Sequence, residues 1–188
     1  MKKNLWWIIL LGVVVLFGLY LWSGYNGLVT ANEAVDNQWA KVQTEYQRRF
    51  DLIPNLVSAV QGAMKQETAV FGAIADARTK YGQAQTVDEK AAAAGQVESA
   101  LSSLLVVMEN YPQLKSIDAV QTLMAQLEGT ENRISVERLR FNDEVKNFNV
   151  MVKVFPKNIV AGMFGFHDRA YFQADSGAAT APKVNLTQ

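Results

Sequence analysis

An unbroken apolar run near the N-terminus constrains the fold of this chain more than any other feature. The run LWWIILLGVVVLFGLYLW covers residues 5–22 and contains no charged residue. At about 1.5 Å rise per residue, a helix of this length spans roughly 27 Å, close to the hydrocarbon thickness of a bilayer. Aromatic rings near its ends favour the membrane interface. The run therefore predicts a transmembrane span, in which we single out Leu5, Trp6, Trp7, Val14, Phe17 and Trp22.

A cleaved signal peptide is the alternative interpretation of this run. The apolar region of a signal peptide is normally shorter, and no small-residue cleavage site follows this one. We therefore expect residues 1–24 to form a retained membrane anchor. Lys2 and Lys3 precede the span, and no Lys or Arg follows it before Lys41. The positive-inside rule then places the N-terminus in the cytoplasm and the rest of the chain outside the cytoplasmic membrane, in the periplasm or on the exofacial side.

Charge and residue types exclude several classes of function. The chain has 18 basic and 18 acidic residues, a net charge of +0, so it lacks the basic surplus expected of a nucleic-acid-binding protein. It has no cysteine and a single histidine, His167, which argues against a histidine-rich metal site, a thiol nucleophile or a histidine-based triad. His167 and Asp168 are expected to be a surface pair. We expect no cofactor and no enzymatic activity.

Helical periodicity accounts for most of the remaining chain. From Val29 to Thr79 apolar residues recur in steps of three and four, which predicts one long helix, kinked near Pro54. A turn at 81–85 and a capping box at Thr86 and Glu89 predict a second helix that stops at Tyr111-Pro112.

A heptad seam runs through a third predicted helix, about residues 117–155, and is typical of packed helices. Its apolar positions are Val120, Met124, Leu127, Ile134, Phe141, Val145, Phe148, Val152 and Phe155. Glu131 and Arg138 interrupt the seam, where such charges more often fix the register of an assembly than serve a reaction. After Pro156 a short aromatic segment extends to Phe172, and residues 173–188 are expected to be a disordered tail.

Six segments, in this order, resemble the LemA family: YNGLV at 25, QRRFDLIPNLV at 47, ENYPQLK at 109, ENRI at 131, RFNDEVKNFN at 140 and FPKNIVAGMFGF at 155. The motif residues of interest are Arg48, Arg49, Asp51, Pro54, Asn55, Tyr111, Pro112, Glu131, Asn132, Asn142, Phe155, Pro156 and Phe166. QGAMKQE at 61 departs from the family pattern. The resemblance implies a bacterial single-pass membrane protein with an antiparallel bundle of long helices over residues 25–172. It implies no reaction, and one member of the family works in magnetosome membrane formation.

The lengths of the predicted helices indicate surfaces that lack a partner within the chain. If the first helix runs to residue 79 and the chain reverses at Tyr111-Pro112, the third helix runs parallel to the first and projects beyond it. A mere kink at Pro112 is the alternative, and it would bring residue 155 down to the bilayer. Under the reversal, we expect contacts between protomers or with a partner at Val35, Trp39, Val42, Tyr46, Phe148, Val152, Phe155 and Phe164. The alternative is that the segment after Pro156 covers its own bundle.

Polar motif residues have plainer interpretations beside the functional ones. Arg48, Arg49 and Asp51 could bind an anion, but we expect them to solvate a helix face, with Arg48 and Asp51 paired locally. Asn132, Asn142, Asn147 and Asn149 could bridge to a neighbouring helix, although solvent exposure is the simpler reading.

The sequence thus predicts an all-α protein: a transmembrane helix, an antiparallel bundle and a short C-terminal helical segment. Its predicted role is a scaffold that self-assembles on, or organises, the membrane from its outer face. The expected partners are the lipid bilayer and further copies of the chain. The alternative role is an adaptor for another envelope protein or a peptide.

Overall fold

The computed structural model describes residues 2–172, except the side chains of 2–5 and of Lys115. Leu5 of the predicted span and the predicted tail at 173–188 therefore lie outside the described side chains and residues. The described chain is entirely helical, as the sequence predicts. Its elements are α1 (Lys2–Gln61), α2 (Thr68–Gln83), α3 (Val87–Met108), a 3-10 helix (Pro112–Ser116), α4 (Asp118–Lys153) and α5 (Lys157–Phe164).

Two compact units divide these elements between them. The first unit contains the chain up to Val42 together with Glu137–Tyr171, and the second contains Gln43–Val136. Both α1 and α4 contribute residues to each unit.

The second unit is a four-helix bundle in which successive helices run antiparallel. Tyr81, near the end of α2, packs its ring 4.4 Å from that of Phe50 in α1, so α2 runs back along α1. The Tyr111 hydroxyl, beyond the end of α3, lies 3.2 Å from Glu67 at the start of α2. In α4, Glu131 pairs with Arg49 of α1, so α4 also runs antiparallel to α1. This is the up-down-up-down topology of a simple bundle.

The predicted first helix is wrong in its C-terminal third. α1 continues through Pro54 but ends at Gln61, and a turn at residues 62–67 reverses the chain before α2. Met64 is fully buried within this turn. It lies four residues after the buried Val60, so the apolar spacing of a helix passes through the turn without interruption. Gly62, a residue of low helix propensity, directly follows the last residue of α1.

That extra reversal changes the direction of α4. The chain does reverse after Tyr111, as predicted, through the 3-10 helix that Pro112 begins. Because α2 has already turned back, however, α4 runs antiparallel to α1 rather than parallel to it.

The turn between α2 and α3 agrees with the predicted capping box. Thr86 Oγ1 accepts a hydrogen bond from the Glu89 N–H at 3.2 Å, and the Glu89 carboxylate accepts the Thr86 N–H at 3.1 Å. The Gln85 N–H donates to the same carboxylate at 2.8 Å. These backbone donors hold the pKa of Glu89 below its usual range.

The first unit is an antiparallel pairing of α1 with α4, to which α5 is added. Gln38 of α1 donates to the carboxylate of Glu137 at 2.5 Å, and the rings of Trp39 and Phe141 lie 5.5 Å apart. Towards the N-terminus of α1, Gly27 faces Met151. Residues later in α1 thus contact residues earlier in α4, so the two helices are antiparallel in this unit.

Candidate functional site

A groove of about 840 Å³ lies between α3 and α4 in the second unit. Its apolar lining comes from both helices, with Leu101, Leu105 and Met108 on α3 and Val120, Met124 and Leu127 on α4. Leu105 stays 38% exposed. Met124 is half-buried, and the other four of these residues are buried, so the accessible apolar surface of the groove comes mainly from Leu105 and Met124.

Carboxylates surround this apolar lining. Glu98 comes from α3, Glu109 directly follows that helix, and Glu128 and Glu131 come from α4. Arg49 is the one basic residue among the described residues that line the groove. The groove thus carries an excess of negative charge.

Arg49 is buried, only 8% exposed, at the groove's edge. Its Nη1 donates to Glu131 Oε2 and lies 3.7 Å from Glu98 Oε1. These two carboxylates compensate its charge, while its Nε has no hydrogen-bond partner among the described residues. The prediction that this residue solvates a helix face is wrong for Arg49, because Arg49 lies on the side of α1 that faces α3 and α4. The register role expected for Glu131 stays a prediction.

Arg48 lies elsewhere, in a separate cleft of about 670 Å³ shared by α1 and α4, together with Arg133. It is exposed, and within the described residues no ion pair joins it to Asp51. Asp51 instead accepts a hydrogen bond from Gln47 at 2.8 Å. The expected pairing of Arg48 with Asp51 is therefore wrong.

The other motif residues do not converge on one place. Pro54 and Asn55 are exposed on α1, Asn132 is exposed on α4, and Asn142 is half-buried on the same helix. Arg138 is also half-buried. Where the structure describes the chain, no group of three His, Asp or Glu side chains is placed to hold a metal ion.

The α1 residues that the sequence predicts to contact a partner are covered by the chain itself. Val35, Trp39 and Val42 are buried in the first unit, and Trp39 packs on Phe141. Tyr46 is buried in the second unit beside Phe50 and Tyr81. The geometric reason for placing these residues in contacts between protomers is therefore wrong, and its cause is the missed turn at 62–67.

The aromatic end of the chain is covered only in part. Phe148 is buried beside Phe166, their ring centroids 6.3 Å apart, and Val152 is half-buried. Phe155 and Phe164 remain 74% and 50% exposed. Pro156 follows a cis peptide bond and immediately precedes α5.

The segment after Pro156 folds back on its own unit. Val160 and Ala161 of α5 are buried, and Val160 packs against Gly24 of α1 so closely that a Cβ at Gly24 would lie 3.1 Å from it. Tyr25 packs its ring 4.8 Å from Phe164. The alternative in which this segment covers its own chain thus describes Val160 and Ala161, but not the exposed rings.

Hydrogen bonds hold the chain beyond α5 in place. The buried Asn149 side chain accepts the Arg169 N–H at 2.8 Å and donates to the Arg169 carbonyl at 2.9 Å. The Arg169 guanidinium donates to Asn32 at 3.0 Å and to Asp36 at 2.5 Å. Next to it, the Lys153 ammonium lies 3.0 Å from Asp168 and holds the pKa of that carboxyl below its usual range.

The N-terminal part of α1 has the properties of a membrane span. Its most apolar stretch has a mean hydropathy of 2.1, and only 6% of the residues in that stretch are buried. Trp6, Phe17 and Trp22 are 57–70% exposed, and Val14 is 60% exposed. α3 is also long and apolar enough to cross a membrane, but 44% of the residues in its most apolar stretch are buried, and it contributes its apolar face to the bundle.

The groove was not predicted from the sequence, although a signal was present. LLVVM at 104–108 places apolar residues on every side of α3, whereas packing in the bundle needs only one face. Leu104 and Met108 are buried, while Leu105 and Val106 stay exposed. Of the two exposed residues, Leu105 lines the groove, beside Leu101 and Met108 of the buried face.

Known proteins similar to this chain include magnetosome proteins. The chain is similar to magnetosome proteins MamQ 1 and MamQ 2 of Paramagnetospirillum magneticum, each 27% identical over 186 residues, covering 85% of this chain and 68% of the relative. MamQ of Magnetospirillum gryphiswaldense is 26% identical over 185 residues with the same coverage. The model of the LemA family matches residues 38–186, most of the chain. The chain belongs to the LemA family.

Proposed function

We propose that this protein is a membrane-anchored adaptor that receives a basic amphipathic helix of another envelope protein in the groove between α3 and α4. The observation that carries this proposal is the combination of an apolar lining with four surrounding glutamates. In this proposal the protein is not an enzyme, and it acts by holding a partner at the membrane.

An amphipathic helix fits the chemistry of the groove. Such a helix lays its apolar face into an apolar groove and keeps its polar face outside. Leu105 and Met124, which are not fully buried, supply apolar contacts, and Glu109 and Glu128 have no ion pair among the described residues. Lysines or arginines beside the apolar face of the partner would meet these carboxylates. Complementary charge of this kind gives specificity and fast association more than raw affinity.

The membrane anchor gives the adaptor its location. Lys2 and Lys3 lie before the apolar helix, and the next basic residue is Lys41. This asymmetry supports an N-terminus in the cytoplasm and a bundle outside the cytoplasmic membrane.

A second candidate function is a scaffold whose copies assemble and organise the membrane. Two observations favour it: Phe155 and Phe164 remain exposed, and relatives of the chain are named magnetosome proteins. In that case the occupant of the groove would be a second copy of the chain.

A binding experiment with defined peptides tests the adaptor. The full-length protein is placed in nanodiscs of neutral lipid, and the probe is a fluorescent synthetic helix of about 18 residues with leucines on one face and lysines on the other. We expect the probe to bind with an affinity that falls as salt is raised. A sequence-matched probe with glutamates in place of the lysines should not bind.

Charge reversal in the groove provides the matched comparison. Glu109→Lys with Glu128→Lys should weaken binding by about tenfold or more, since each pair is worth several tenths of a kcal/mol or more. Glu33→Lys with Asp143→Lys changes the same charge on exposed carboxylates outside the groove and should leave binding unchanged. Equal binding by all variants would overturn the adaptor. Self-association that Leu105→Asp abolishes would favour the scaffold instead.

A further inference from the structure

Four of the apolar side chains that remain exposed near the C-terminal end of the first unit lie on α5 or just before it. Phe155 is 74% exposed, Ile159 49%, Met163 60% and Phe164 50%. We call these four residues the α5 patch. Ile159 and Met163 lie one helical turn apart on α5, whereas Val160 and Ala161 turn inward and are buried. α5 is thus a short amphipathic helix with an uncovered apolar side.

The position of α5 along α1 places this patch at the end of the membrane span. Val160 packs on Gly24, and Phe164 packs on Tyr25, immediately after the apolar run that ends at Trp22. Trp22 itself is 66% exposed. The α5 patch therefore adjoins the surface of α1 that faces lipid once the span is in a bilayer.

We propose that α5 lies in the membrane interface on the outer side and inserts the α5 patch among the lipids. The occupant of the patch is the lipid surface, because the patch adjoins the lipid-facing surface of the span. Amphipathic helices bind this way, with the apolar face at the boundary between headgroups and acyl chains. The exposed Lys157 at the start of α5 suits the phosphate groups of that boundary.

The structure holds α5 ready for this contact. Gly165 ends the helix with φ of 74°, a left-handed conformation that favours glycine, and the Phe166 N–H donates to the Ala161 carbonyl at 3.0 Å. Asn149 then fixes the backbone of Arg169. Because Val160 packs on α1 and the chain after α5 is bonded to α4, the helix is already held in place for contact with lipid.

The inference depends on the membrane anchor of the proposed function, and the experiment separates the two. The chain has no cysteine, so single cysteines can be introduced without other changes. We would label Met163→Cys with an environment-sensitive fluorophore, reconstitute the full-length protein in phosphatidylcholine vesicles, and add lipids that carry a bromine or nitroxide quencher.

Two matched positions serve as references. Phe17→Cys lies in the span. Leu139→Cys is on α4, as exposed as Met163, but near Phe141, which packs on Trp39 about 25 Å along α1 from Trp22. We expect a blue shift and quenching at Met163→Cys and Phe17→Cys, and neither at Leu139→Cys.

The outcomes distinguish the proposals. Quenching at Phe17→Cys without quenching at Met163→Cys would overturn the lipid contact and leave the anchor in place. Absence of quenching at Phe17→Cys would remove the anchor, and the proposed function with it. A blue shift at Met163→Cys that lipid quenchers do not affect would mean that protein covers the patch, and would favour self-assembly instead.

Discussion

Arg49 of α1 donates a hydrogen bond to Glu131 of α4 while its guanidinium also lies 3.7 Å from Glu98 of α3. One buried cation thus links three of the four helices in the second unit. A buried charge of this kind adds little net stability, because the cost of removing it from water offsets most of the attraction. Removing only one partner of such an ion pair lowers the stability strongly, since the other charge is then left without its partner.

Unequal losses are expected when the two sides of this pair are changed. Glu131→Ala leaves the buried Arg49 with Glu98 alone and should lower the free energy of unfolding by about 1–3 kcal/mol; the Glu131 side chain is 43% exposed, so solvent screens part of the loss. Arg49→Met removes the buried charge itself and should cost less. Thermal unfolding of the full-length protein in detergent measures both.

Glu128→Ala, three residues earlier on α4 and exposed, is the control and should change the stability by less than about 0.5 kcal/mol. A larger loss for Arg49→Met than for Glu131→Ala would show that the cation, rather than its compensation, is what the bundle needs.

Phe141 offers a test of the packing between α1 and α4 in the first unit. It is 1% exposed and packs on Trp39, so Phe141→Ala should cost about 3–5 kcal/mol through lost contacts and the cavity left behind. Leu139→Ala removes a 65% exposed side chain from the same helix and should cost under about 1 kcal/mol. Similar melting temperatures for the two variants would contradict the assigned face of α4.

The sequence predicts the helix ends that have local chemical signals. Thr86 and Glu89 mark the start of α3, and Pro112 and Pro156 mark the chain breaks beside them. The sequence does not predict the turn at 62–67, because the apolar residues Val60 and Met64 are spaced as on one helix, and both are buried. Only packing against the rest of the bundle decides whether such a pattern continues straight or turns back.

The candidate site was harder to predict than the fold. The glutamates of the groove lie on α3, directly after it and on α4, and nothing in their spacing indicates that they surround one surface. Because the sequence predicts the wrong direction for α4, it does not predict the pairing of Glu131 with Arg49 either. A single missed turn therefore changed both the expected interface and the expected partners of the buried charges.

Tyr81 should give the second unit a pH dependence at the alkaline end. Burial beside Phe50 raises the pKa of Tyr81 to about 12, from an ordinary value of 10.0. The stability that depends on the neutral phenol is fully present below pH 10, falls as the unfolded chain ionises, and is lost once the pH passes about 12. Absorbance of the phenolate, followed against pH, should show a late step that Tyr81→Phe removes.

The alkaline titration has an internal control in Tyr171, which is 45% exposed. Tyr171→Phe should keep the late step, because it leaves the environment of Tyr81 unchanged. Persistence of the late step in Tyr81→Phe would assign it to another tyrosine.

Asn149 should control the local stability of the chain beyond α5. Its side chain makes both hydrogen bonds to the backbone of Arg169, so Asn149→Ala leaves that N–H and that carbonyl without their buried partner. Two such bonds are worth about 1–2 kcal/mol, and amide hydrogen exchange at residues 166–169 should accelerate by about tenfold.

Asn147→Ala, on an exposed position of the same helix, should leave exchange unchanged. Because the bonds lie within the first unit, exchange in α2 and α3 should not respond to either variant. Equal exchange in the two variants would mean that the contacts of Arg169 with Asn32 and Asp36 hold the segment without Asn149.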